Sequence, residues 1–102
     1  MQPWEIWWGQ TRWKDCADRR PWLIVDCRPD DAFGCFPIST KSYGDPAFEL
    51  SADHPDFAAT GLKRTCFIHD LHIIELHAAE LHKRSGTLGG QLRDQFRAYA
   101  DL

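Results

Sequence analysis

The chain has 102 residues, 43% of them hydrophobic and 26% charged, with a formal net charge of −3. That length sets the expectation of one domain spanning 1–102 with a modest core, and the composition excludes a disordered chain. No apolar run reaches transmembrane length or reads as a signal peptide, and the four cysteines form no CxxC pair, so free thiols in a cytoplasmic, reducing setting are expected.

In chain order, Trp4–Trp8 is aromatic and β-branched and predicts a strand. Residues 9–20 are polar and predict a loop. Trp22–Asp26 is a continuous apolar run after a proline, the pattern of a strand buried on both faces. Residues 28–34 are rich in turn formers. Cys35–Thr40 predicts a third strand, and Pro37 predicts that one side of it is an edge or a bulge. A short strand is expected at Ala47–Leu50, then a long ordered loop, then strands at Thr65–His69 and His72–Leu76. Residues 77–83 suit a short helix. The tail from Leu88 places Leu92, Phe96 and Tyr99 on one face of an amphipathic helix that Thr87 is expected to cap. These elements predict a mainly β chain with a C-terminal helix, built as a small closed or half-closed barrel.

Charge is uneven along the chain. Residues 10–20 hold Arg12, Lys14, Arg19 and Arg20 against Asp15 and Asp18, and Lys41, Lys63 and Arg64 add positive charge, while acidic residues collect in 45–56. A net negative chain argues against a nucleic-acid partner, whereas a local basic patch argues for one. His69 and His72 have a spacing that metal ligands use, but residues three apart on a strand point to opposite faces and no further ligand completes a set. No metal and no cofactor are expected. His69 remains a candidate proton carrier or an ordinary partly buried imidazole. Cys16 is the expected exposed thiol.

Five segments, in order, resemble the MazF/PemK family of RNA-cleaving toxins. They are Glu5-Ile6-Trp7-Trp8, then Arg20-Pro21-Trp22-Leu23-Ile24-Val25, then Pro37-Ile38-Ser39-Thr40, then Gly61-Leu62-Lys63-Arg64-Thr65, and Gly86-Thr87-Leu88 ahead of a terminal helix. The chain departs from the family at Lys14-Asp15-Cys16-Ala17-Asp18, where the family carries a Gly-Ser-Glu-Gln-type loop. It departs again at Asp70-Leu71, where a Gln often follows the acidic residue. The resemblance implies an SH3-like small β-barrel of the MazF/PemK/CcdB type, a homodimer, and metal-independent endoribonuclease activity on single-stranded RNA. It also implies a cognate antitoxin partner whose flexible tail blocks the active groove. The family's catalytic Arg falls on Arg20 and its Thr/Ser on Ser39, with Thr40 adjacent.

These residue types suit such chemistry. When a ribose 2′-OH attacks its own phosphate, charge builds on the phosphoryl oxygens, and a planar, permanently charged guanidinium matches those oxygens while a hydroxyl adds a hydrogen bond. Arg20 is therefore expected as electrostatic stabiliser, with Ser39 beside it. Arg12, Trp13, Lys14, Arg19, Thr40 and Lys41 are the expected RNA-binding residues, cations for phosphates and Trp13 for a base, unless Trp13 folds back onto the core. The alternative is a catalytically inactive or protein-binding member of the same superfamily, of the gyrase-poisoning kind. A metal-dependent hydrolase built on the histidines ranks last.

Overall fold

The computed structural model describes residues 1–10, 19–42, 44, 46–69 and 71–102. Strand β1 is Glu5–Gly9, β2 Arg20–Arg28, β3 Ala32–Pro37, β4 Phe48–Leu50, β5 Cys66–Ile68, β6 Ile74–His77 and β7 Leu81–Thr87, and helix α1 is Gly90–Ala100. The main sheet is antiparallel in the order β6-β3-β2-β1-β7, and β4 and β5 form a separate two-stranded sheet.

Pro21, Trp22, Leu23 and Ile24 are all buried, as the continuous apolar run predicts, because the main sheet carries a core on each face. On one face Leu23 joins Ile6, Phe36, Ile38, Leu50, Ile68 and the helix residues Leu92 and Phe96. On the other, Trp22 and Ile24 join Phe33, Cys35, Leu76 and Leu81. Phe96 is fully buried, with the rings of Phe48, Phe36 and Trp4 edge-on at 5.2, 5.6 and 6.4 Å. Each such pair contributes about 0.5–1.5 kcal/mol beyond its area burial.

Several expectations are corrected. The sheet is not closed into a barrel. Its edges are β6 and β7, which do not pair with each other. Pairing of β3 with β6 ends at Cys35–Ile74, and Pro37, which has no N–H to donate, closes the strand. The chain then turns to the small sheet through an isolated bridge, in which the Ser39 and Phe67 N–H groups each donate to the other's carbonyl at 2.9 and 2.7 Å.

Residues 77–83 do not form a helix. Ala78–Glu80 is one 3-10 turn, its ends tied by a reciprocal capping box of His77 and Glu80, and β7 follows at once because the free edge of β1 receives it. Ala32–Gly34 continue β3 rather than the turn. Thr87 does not cap α1, since it ends β7 opposite Glu5. Asp56 takes that part from afar, its Oδ2 accepting the Leu92 N–H at 3.3 Å. Leu92 and Phe96 are buried as expected, while Tyr99 is 43% exposed and tilts against Phe48.

Candidate functional site

The start of β2 and the end of β3 form one rim of the molecule. Trp22 pairs with Pro37 and Leu23 with Phe36, and the Ile38 N–H donates to the Pro21 carbonyl at 3.0 Å, so the register continues past the named strands. One residue further, it sets Arg20 across from Ser39, and directly opposed residues share a face with Cβ atoms about 4.5–5.5 Å apart. That face is the one of Trp22 and Ile24, away from the helix.

Ser39 is held in place. The Ser39 Oγ accepts the Lys41 backbone N–H at 3.1 Å, which leaves its own proton to donate outward. The backbone of Ser39 is pinned by Phe67, and His69 follows two residues later, just past the end of β5. The His69 Nε2–H donates to the Lys41 carbonyl at 2.5 Å, and its ring lies 5.9 Å from that of Phe67. Arg20 is half-buried, and its Nε is buried with no hydrogen-bond acceptor among the described residues. A desolvated guanidinium N–H without an acceptor is costly and suits an incoming anion.

The other face of the rim opens into a groove of about 720 Å³. Its floor is Pro21, Leu62 and Cys66, which close the end of the main core. Trp8 lies beside them because Ile6, two residues earlier on β1, points into that core and Trp8 continues the row past its end, paired with Pro21 and Lys83. One wall is the segment of Gly61 to Arg64 and the other is β7 at Lys83 to Ser85. Two glycines allow these walls to meet. Gly61 has φ +73°, and a Cβ there would lie 1.9 Å from the Ser85 carbonyl oxygen, while a Cβ on Gly86 would lie 2.1 Å from that of Ala59. The Ser85 hydroxyl donates to the Thr60 carbonyl at 2.9 Å and fixes the contact.

Arg19, Lys63, Arg64, Lys83 and Arg84 line the groove, and among the described residues no carboxylate does. Only Arg84 has an ion-pair partner among them, Glu5 at 3.2 Å. Arg19 lies 5.9 Å over the Trp8 ring. A chain of net charge −3 thus concentrates positive potential in one concavity, the setting in which a local field overrides net charge.

The expected site residues therefore divide. The β2–β3 register extended past Pro37 puts Arg20 and Ser39 on one face, and Arg19 and Thr40 line the groove on the other. Lys41 is exposed and meets Ser39 and His69 through its backbone. Arg12, Trp13 and Lys14, with Cys16, lie outside the described residues. The buried Cys35 thiol is pushed up to about 12 by desolvation, and burial also raises that of Cys66, so neither is a thiolate at neutral pH. Among the described residues no three His, Cys, Asp or Glu side chains converge as a metal cage, and no helix is long and apolar enough to cross a membrane.

No protein-family model matches the sequence, and no curated protein matches it significantly. In fold, 26 chains of solved structures match. One is the Mycobacterium tuberculosis toxin MazF-mt6, with a TM-score of 0.64 and 20% identity over 96% of this chain and 97% of that one. The chain has a MazF-like fold. Within that MazF-like frame, sequence reasoning missed Trp8, Lys63 in its role as a wall, and Lys83. The signal for Trp8 was available, because alternation from a buried Ile6 puts it on the core face at a strand end. Lys63 and Lys83 carried none, being joined only by the packing of Gly61 and Gly86.

Proposed function

We propose that this chain is an endoribonuclease toxin of a toxin–antitoxin pair, acting in the cytoplasm as a homodimer on single-stranded RNA without a metal. Arg20 stabilises charge on the phosphoryl oxygens as the 2′-OH attacks, and Ser39 donates a hydrogen bond to the same group. A guanidinium is a poor base, so Arg20 acts as cation and as proton donor to the leaving 5′-oxygen. Arg19 and Thr40 bind the strand next to this pair, with Lys41 beside Ser39. A cognate antitoxin covers the rim when the toxin is held inactive.

What supports this reading is the β2–β3 register, which extended past Pro37 puts Arg20, whose Nε–H meets no acceptor among the described residues, opposite Ser39, in a chain of MazF-like fold. The test is incubation of purified protein with mixed-sequence single-stranded RNA in chelator. Fragments ending in 2′,3′-cyclic phosphate from the wild type and none from Arg20→Ala are the expected result. Intact RNA with the wild type overturns the proposal and favours the protein-binding alternative.

A further inference from the structure

We propose that the groove beneath Trp8 is a second RNA-contact site, separate from the Arg20–Ser39 pair, in which Trp8 stacks one unpaired base while Lys63 and Lys83 hold phosphates from opposite walls. The inference rests on the nuclease reading for its ligand but not for its geometry. Three observations carry it. An indole lies along a concavity of about 720 Å³ instead of being consumed by the core. The cations around it, Arg84 excepted, have no carboxylate partner among the described residues. The Arg19 guanidinium already sits 5.9 Å over the Trp8 ring, and a base entering between the two planes has a π partner on each face.

Unspecific single-strand sites are built from these two parts, a stacking face and cations spaced along it. An acidic peptide would use the cations but not the indole, which is why RNA is the favoured ligand. The two sites lie on opposite faces of one rim, and Arg19 and Arg20 are consecutive residues, so a strand crossing the rim occupies both. The groove then sets how firmly a long RNA is held, and the pair on the far face does the chemistry.

The experiment is fluorescence anisotropy with a labelled single-stranded RNA octamer, its abasic analogue and an acidic peptide of matched charge. Binding is measured in the Arg20→Ala background so that no RNA is cut. Lys63→Glu/Lys83→Glu is expected to weaken octamer binding about tenfold or more and to flatten the salt dependence by about 1.4, or 0.7 for each phosphate that is no longer neutralised. Trp8→Leu is expected to weaken it about fivefold or more and Trp8→Phe much less, with folding of each variant checked by circular dichroism. Equal binding of the abasic analogue, equal binding of the acidic peptide, or an unchanged salt slope overturns the proposal. Cleavage is scored separately with Arg20 intact. Wild-type cleavage with groove variants that bind normally sinks the groove and leaves the nuclease, whereas groove-dependent binding with no cleavage by the wild type supports the groove and sinks the nuclease.

Discussion

The two faces of the rim use the same residue type in opposite ways. On the outer face one arginine, Arg20, is half-buried with an Nε–H that meets no acceptor among the described residues, and Ser39, across the extended register, accepts the Lys41 N–H at its hydroxyl and pairs its backbone with Phe67. On the inner face four cations with no ion pair among the described residues stand exposed around an indole. A partly desolvated cation is suited to a charge that appears at one point, and exposed, hydrated cations are suited to charge spread along a chain. On the proposed reading, rate and grip belong to different sides of one strand end.

Breaking the outer face has the largest expected effect. Arg20→Ala lowers the cleavage rate about a thousandfold with no change in melting temperature, measured by single-turnover kinetics and calorimetry. Retention of the rate removes Arg20 from the chemistry. Next comes the joint that builds the inner face. Gly86→Ala forces a Cβ into the Ala59 carbonyl and is expected to cost about 3 kcal/mol in urea unfolding, because backbone and not a flexible side chain must give way.

Ser39→Ala sharpens the comparison on the outer side. Losing one neutral hydrogen-bond donor to the reacting group slows cleavage about tenfold, and KM for a long RNA stays the same if grip lies elsewhere. Asp56→Ala removes the remote cap of α1 and costs about 1 kcal/mol of stability while leaving both faces working.

The smallest effect is a pH dependence. Burial opposes ionisation of Glu5, yet hydrogen bonds from the Trp7 indole N–H and the Gln2 backbone N–H, with Arg84 and the N-terminal charge, hold its carboxyl below the usual range. A depressed folded pKa gives stability that is present above the unfolded value and is lost as pH falls through the folded one. Glu5→Gln should therefore reduce the fall in melting temperature between neutral pH and the acid range, and an unchanged acid limb would discharge Glu5 from that part.

Much of the sheet was legible because β-branched and aromatic runs separated by Gly, Pro and Asp leave few alternatives. Within Trp22–Asp26, Trp22 to Ile24 declared their double burial through continuity, though Val25 is half-buried and Asp26 exposed, and Pro37 declared its edge. The strand at Leu81–Thr87 was hidden because His77–Lys83 has the composition of a helix, and only the vacant edge of β1 makes it extended. Barrel closure was not legible either, since it depends on which partner β3 takes after Pro37. Of the candidate site, Arg20 and Ser39 came from motif order, but their juxtaposition needed the register. The groove needed still more, because Lys63 and Lys83 are brought together by two missing side chains, at Gly61 and Gly86.

The single rung between Ser39 and Phe67 carries a consequence for how the molecule responds to load. Those two hydrogen bonds couple the small sheet to the residue proposed as hydroxyl donor. A tilt of the β4–β5 ribbon therefore reaches Ser39 through that rung and Phe96 through the Phe48 ring, so the hydroxyl and the helix packing shift together.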